Sequence, residues 1–342
     1  MSPLLHVEGL RVELAREDQP VGSAPAIVEE VRLRIERGEA LGLVGESGSG
    51  KSTLLLALLD LLGPGLRRTA GEVVFDRRSL TLLDPAVRRR LLGAEIGVVF
   101  QEPTRALNPV LKIGEQVAEV LRCHLKLDQR AAWSRAVELL AEVGIERPEL
   151  RAHDYPHQLS GGMNQRVVIA MAIACSPALL VVDEPTTSLD VTVQKEILAL
   201  FRHLREEHGM ALLFVSHDLV LVEREVDRVA VMYAGRLVET APVEELFAAP
   251  RHPYTRALLD CQPKFAAPRT RLPEIGGVVP SIDERPSGCA FAPRCSRAEA
   301  RCSVEQPELT NHDTGRSLAC FAPLEAGAES QARQASEPGA QP

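Results

Sequence analysis

Apolar residues spaced two apart mark the start of the chain, with Leu10, Val12 and Leu14 followed by Val31, Leu33 and Ile35. A period of two puts such residues on one face of a strand, so Leu4 to Glu39 is predicted to form antiparallel strands around a polar loop at Glu17 to Ser23. A wholly apolar strand, Ala40 to Val44, precedes a glycine-rich interruption at Gly45 to Ser52, and Thr53 to Leu62 then has the character of a helix. From Pro103 to about Leu159 the spacing is helical, with Val117, Val120 and Leu121 on one face and Ala136, Leu139, Leu140 and Val143 on another. This stretch, about 103–165, is predicted to be an inserted helical subdomain. After Ser160 the order is helix (Met163 to Ala174), strand (Leu179 to Val182), helix (Val191 to His208), then strands at Ala211 to Val215 and Val229 to Tyr233. Helices alternating with fully apolar strands imply a mostly parallel sheet covered on both faces, so the fold class is α/β.

Beyond Pro250 the chain becomes rich in Pro and Cys and loses its periodicity through Pro323. The expected division is therefore a large domain over 1–250, a small accessory domain over 251–323, and a disordered tail over 324–342, which has no aromatic residue with which to build a core. With 342 residues, 45% hydrophobic and 25% charged, the chain is long enough for a large core plus an appendage. Thirty-nine basic residues stand against 47 acidic ones, and this net charge of -8 disfavours nucleic acid as a partner. The longest apolar runs, such as Leu54 to Leu62, fall short of the ~18–20 residues needed to span a bilayer. Met1 to Leu10 shows no secretory pattern, so the cytosol is the expected compartment.

Gly45-Glu46-Ser47-Gly48-Ser49-Gly50-Lys51-Ser52 fits the phosphate loop G-x-x-x-x-G-K-[ST], in the strand-to-helix setting that the motif requires. Its glycines let backbone N–H groups turn in around phosphates, and the helix start at Ser52 and Thr53 adds partial positive charge. Lys51 reaches the β and γ phosphates, and Ser52 offers its hydroxyl to Mg²⁺. Leu179 to Glu184 is an apolar strand ending in two carboxylates. Asp183 is placed to hold Mg²⁺ and Glu184 to polarise the attacking water, because phosphoryl transfer depends on positioning and charge neutralisation.

Leu159-Ser160-Gly161-Gly162-Met163-Asn164-Gln165-Arg166, about twenty residues before Asp183, resembles the signature motif of ABC-type ATPases. The resemblance implies the fold of those ATPases: a mostly parallel sheet core, an antiparallel β subdomain and an inserted helical subdomain. It also implies two composite ATP sites in a head-to-tail dimer, with Ser160, Gly161 and Gly162 facing the γ phosphate held by the partner subunit. Gln101 resembles the glutamine that contacts Mg²⁺ and water, Ser188-Leu189-Asp190 the dimer-interface loop, and His217 the γ-phosphate-sensing histidine. One feature departs from the family. No aromatic residue precedes Phe75, leaving Leu14 or an apolar neighbour as the adenine platform.

Phe100 to Pro109, Met163 within the signature, and Arg251-His252-Pro253-Tyr254-Thr255 together resemble the ATPase subunits of bacterial dipeptide and oligopeptide importers. That resemblance implies a second ATPase, a paralogue in a heterodimer, with two transmembrane permease subunits and an extracytoplasmic substrate-binding protein. It places the chain peripherally at the cytoplasmic face of the cell membrane. A nickel complex or glutathione is the alternative cargo. A soluble ABC ATPase of DNA repair or translation is the competing class, disfavoured by the single phosphate loop and the negative charge. Cys289, Cys295, Cys302 and Cys320 crowd the last sixth of the chain, where four thiolates in a cytosolic protein suggest zinc or an iron-sulfur cluster. The lack of a C-x₂-C pair leans away from zinc. Resemblance to peptide-importer ATPases favours a structural [4Fe-4S] cluster, with zinc the alternative and a redox or iron sensor a further reading of the same cysteines.

Overall fold

The computed structural model describes residues 2–15, 20–22, 24–186, 189–262, 274–313 and 315–325. They fall into two compact units, the first comprising residues 1–6, 33–40 and 72–215, the second residues 7–32, 41–71 and those from 216 onward. The amino-terminal alternation becomes β1 (Leu5–Leu14) and β2 (Ala26–Ile35), with Val7, Leu10, Val12, Val28, Val31 and Ile35 fully buried. The fully apolar β3 (Ala40–Val44) is buried at every residue and leads through the glycine loop into α1 (Lys51–Leu58). That helix starts two residues before the predicted Thr53, because Leu54 N–H already bonds to Gly50 O, and it ends at Leu58 rather than Leu62. β4 (Leu66–Phe75) and β5 (Arg78–Ser79) complete a four-stranded sheet of order β2-β1-β4-β5, with β4 and β5 antiparallel.

In the first unit α2 (Pro85–Ala94), capped by the Asp84 carboxylate, leads to β6 (Ile96–Val99). The helical stretch follows as α3 (Pro103–Ala106), α4 (Ile113–Leu125), α5 (Gln129–Glu142) and α6 (Pro148–Arg151). Ile113, Val117 and Leu121 of α4 and Ala132, Ala136, Leu139 and Leu140 of α5 are buried at helical spacing, as the periodicity requires. These two helices also meet α7 (Gly161–Ile173). β7 (Leu179–Asp183) and β8 (Ala211–Ser216) flank α8 (Val191–His208), and β6, β7 and β8 pair in parallel, from Ile96 opposite Leu179 to Asp183 opposite Val215. Each large aliphatic side chain so buried contributes roughly 1.5–3 kcal/mol.

In the second unit α9 (Leu219–Glu225) precedes β9 (Arg228–Tyr233), which pairs in parallel with β3 and antiparallel with β10 (Arg236–Pro242). After α10 (Val243–Ala248) and α11 (Pro253–Asp260), the Cys-rich stretch contains α12 (Ala300–Val304), β11 (Thr310–Asp313) and β12 (Arg316–Leu318). β12 pairs antiparallel with β10, placing Leu318 opposite Glu239, and β11 pairs with β12. Within this unit the strands thus run from the parallel pair β3 and β9 through antiparallel strands into the Pro- and Cys-rich segment. All but two residues of the expected 324–342 tail lie outside the described residues. Among the described residues no helix is long and apolar enough to cross a membrane.

Candidate functional site

Three local features prepare the phosphate loop for anions. A Cβ added at Gly45 would lie 2.2 Å from Met232 O, so only glycine lets the end of β3 pass that close to β9. The N-terminus of α1 has no side-chain cap, and a helix start of this kind favours an anion. The Ser49 hydroxyl is buried with no hydrogen-bond partner among the described residues. These features fit a bound nucleotide phosphate. Lys51 is buried and its Nζ donates to Gly45 O at 2.8 Å and to Glu46 O at 3.0 Å, so its ammonium is held at the loop. Ser47, Gly48 and Ser52 are exposed there, while Gly50 and Thr53 are half-buried.

Glu46 follows a path that the motif does not reveal. Its carboxylate accepts two hydrogen bonds from the Arg294 guanidinium, at 2.8 and 3.0 Å, and its N–H donates to the Tyr254 hydroxyl at 2.9 Å. Arg294 lies between Cys289 and Cys295, and Tyr254 belongs to the His-Pro-Tyr segment. Sequence reasoning assigned neither residue to the loop. A lone arginine in a loop carries no motif, and pairing across more than 200 residues leaves no local trace.

In the first unit β7 ends at the buried Asp183, and the next residue, Glu184, adopts a left-handed backbone (φ 45°) while its N–H donates to Val215 O. Gln101, just beyond β6, donates from Nε2 to Glu184 Oε2 at 3.1 Å. The structure therefore brings Gln101 and Glu184 together, as two neighbouring parallel strand ends allow. A carboxylate held by one amide, next to a second carboxylate, is an arrangement able to orient water beside a divalent cation.

Ser160 caps α7, its hydroxyl accepting the Met163 N–H at 3.3 Å, and Ser160 and Gly161 are exposed. A Cβ on Gly162 would lie 2.6 Å from Val193 Cγ1, so glycine there lets α7 pack close to α8. Asp190 caps α8, accepting from Thr192 and Val193 N–H at 3.0 Å each. Ser188 lies outside the described residues. His217 is exposed immediately after β8, where the Ser216 hydroxyl accepts the Asp218 N–H. Leu14, the expected adenine platform, is half-buried at the end of β1.

Cys289, Cys295, Cys302 and Cys320 all line one small cavity, with Phe291, Phe321 and His252 among its walls. Each sulfur is met by backbone N–H: Cys289 by Phe291 and Ala292, Cys295 by Arg297, Cys302 by Glu299, and Cys320 by Ala322. Burial pushes the Cys289 and Cys295 thiols up and Cys320 up to about 12, so thiolates there need a cation to form. Among the described residues the one group of three His, Cys or acidic ligands within 4.8 Å of one another is Glu142, Glu207 and His208, in which His208 Nε2 lies 2.7 Å from Glu142 Oε1.

A phosphate loop, an acidic strand end beside a glutamine, and a serine-capped Ser-Gly-Gly helix on an inserted helical layer define an ATP-binding cassette. A family model described as ABC transporter matches residues 28–187, and one described as oligopeptide/dipeptide transporter, C-terminal region, matches 238–302. The chain is 44% identical to the dipeptide transport ATP-binding protein DppD of Escherichia coli over 322 residues, 94% of this chain and 97% of that protein. It is also 44% identical to the oligopeptide transport ATP-binding protein AppD of Bacillus subtilis over 330 residues, 96% of this chain and 99% of that one. Among solved structures, the dimeric post-hydrolysis state of the ATP-binding cassette MJ0796 bound to ADP and Pi superimposes with a TM-score of 0.61 at 29% identity, covering 70% of this chain and 98% of that one. The chain belongs to the family of ABC transporter ATP-binding proteins.

Proposed function

We propose that this chain hydrolyses ATP to drive import of dipeptides or oligopeptides through partner membrane subunits. The observation that carries this reading is the coincidence, in one chain, of the phosphate loop with a carboxy-terminal region like that of oligopeptide and dipeptide transporters. In this reading Lys51 and the loop N–H groups hold the β and γ phosphates, and Ser52, Asp183 and Gln101 hold Mg²⁺. Glu184 orients and deprotonates the attacking water, and His217 contacts the γ phosphate. Ser160, Gly161, Gly162 and Asp190 serve the partner ATPase's nucleotide across a head-to-tail dimer. The partner is a paralogue, and the pair works at the cytoplasmic face with two permeases and an extracytoplasmic binding protein. Residues 1–250 form the cassette, 251–323 the accessory domain and 324–342 its tail.

The four cysteines fit a metal-sulfur group, since all four line one cavity and the Cys295 and Cys302 sulfurs accept backbone N–H. Cys289, Cys295, Cys302 and Cys320 would hold such a group through their thiolates. Resemblance to peptide-importer ATPases favours a [4Fe-4S] cluster there, with zinc the alternative. Such a group would supply a structural staple to a region with a small core.

The test is uptake of a labelled dipeptide by cells carrying the whole transporter. Lys51→Ala is expected to abolish uptake while leaving the chain at the membrane. Uptake unaffected by Lys51→Ala, or a transporter that ignores peptides and moves nickel or glutathione, overturns the reading. Four irons and four sulfides per purified chain support the cluster, and one zinc without iron replaces it.

A further inference from the structure

Glu46 is the second residue of the phosphate loop, and its polar groups are claimed from two directions. Lys51 Nζ takes its carbonyl, while Tyr254 takes its N–H and Arg294 its carboxylate. The Arg294 side chain is only 5% exposed, lies 5.8 Å over the Tyr233 ring and also donates to the Tyr233 hydroxyl. Tyr233, Tyr254 and Phe291 pack edge to face or tilted, with ring centroids 4.6–5.3 Å apart. Arg294 Nε and Nη2 also reach Gly276 O and Ile275 O. The guanidinium is thus oriented on several sides before it meets Glu46, and a bidentate, charge-assisted pair fixes direction as well as distance. Backbone bonds of Arg294 N–H to Phe291 O and of Cys295 N–H to Ala292 O tie that position to the turn between two of the four cysteines.

We propose that Arg294 and Tyr254 are positioning residues for ATP, through which the Cys-rich segment clamps Glu46 and sets the shape of the phosphate loop. Neither residue touches nucleotide in this scheme. Each acts on the loop backbone that does, so freeing Glu46 leaves the loop to be ordered at the expense of nucleotide affinity. The inference rests on the ATP-binding reading of the loop.

The experiment is a double-mutant cycle on the full chain, read by equilibrium binding of a fluorescent ATP analogue, with metal content measured on every sample. Arg294→Met and Glu46→Gln are each expected to weaken binding about tenfold, a factor equivalent to about 1.4 kcal/mol. The double variant is expected to be no weaker than either single one, because both remove the same contact. Tyr254→Phe is expected to weaken binding in the same direction with metal content unchanged. In hydrolysis assays the loss should lie in KM more than in kcat. Should Arg294→Met lose its metal or fail to fold, Glu46→Gln, which leaves the Cys-rich segment intact, decides alone. Affinities unchanged within about twofold, or effects of Arg294→Met and Glu46→Gln that add in full, overturn the clamp. A wild-type chain that binds no ATP analogue instead overturns the ATP-binding reading itself.

Discussion

Glu184 carries opposite demands from folding and from chemistry, and substitution separates them. Its backbone sits at φ 45°, and its carboxylate accepts from Gln101 at 3.1 Å. A left-handed conformation costs a residue with a Cβ about 1–2 kcal/mol. Glycine escapes that cost but loses about 0.5–1 kcal/mol through the greater freedom of its unfolded chain, and the lost hydrogen bond removes about 0.5–1.5 kcal/mol more. These contributions nearly cancel. Glu184→Gly is therefore expected to unfold within ~1 kcal/mol of the parent, whereas Glu184→Ala keeps the strain, loses the bond and falls ~1 kcal/mol lower. Glu184→Gln retains both shape and bond and should match the parent. All three should bind ATP, yet if Glu184 is the general base their hydrolysis should fall by about 10²–10⁴-fold. Urea unfolding, phosphate release and nucleotide binding on the same preparations give the comparison. Glu184→Gly clearly less stable than Glu184→Ala would refute the strain argument. Hydrolysis by Glu184→Gln within about threefold of the parent would refute the catalytic one.

Gly45→Ala forces a Cβ to 2.2 Å from Met232 O, so it is expected to cost about 3 kcal/mol of stability, seen as a lower denaturation midpoint, and to abolish nucleotide binding with it. His252 is fully buried, its Nδ1 caps α11 by accepting the Tyr254 N–H, and desolvation lowers its pKa from 6.5 to about 3. Between those values the unfolded chain binds the extra proton, so this histidine's contribution to stability is present above pH 6.5 and is lost as pH falls toward 3. Asn in its place keeps a cap acceptor without the titration, so the stability difference between parent and His252→Asn should shrink or invert as pH drops from about 6.5 to 4, measured by urea unfolding at each pH.

The elements that sequence pattern located best are those whose burial is uniform or strictly periodic. β3, β7 and β8 are buried at every residue, and α8 runs over the predicted Val191 to His208 because Asp190 caps it and Gly209, at φ 61°, ends it. β4 escaped because its first seven residues, Leu66 to Glu72, are at most half-buried and include Arg67, Arg68 and Glu72, leaving no alternation to detect. β12 is three residues long, and its buried Arg316 reads as a surface residue until its bond to Ala249 O is known. The phosphate loop was legible because its chemistry is local, each residue acting within a turn of the next. The clamp on Glu46 was not, because it joins residues 208 and 248 positions away.

The Cys-rich segment itself shows why such long-range polar contacts matter. Among the described residues after α11 its buried apolar side chains are few and mostly small, Ala290, Phe291, Cys302, Leu318, Ala319 and Ala322, so hydrophobic burial alone holds it weakly. Hydrogen bonds supply much of the rest. Glu239 of β10, with no exposed surface, accepts the N–H groups of Arg251 and His252 at 2.9 and 3.0 Å, and burial raises its pKa even so. Ala319 N–H donates to Val238 O, and Leu324 N–H to Arg251 O. A buried acceptor that loses its donors carries its full desolvation cost, so this network tolerates one register of β12 on β10 and few others. A metal-sulfur group at the four cysteines would fix the remaining end of the same segment. The turn that carries Arg294 would then be held at the cysteines on either side, Cys289 and Cys295, which is what a residue must have if it is to impose a shape on the phosphate loop instead of following it.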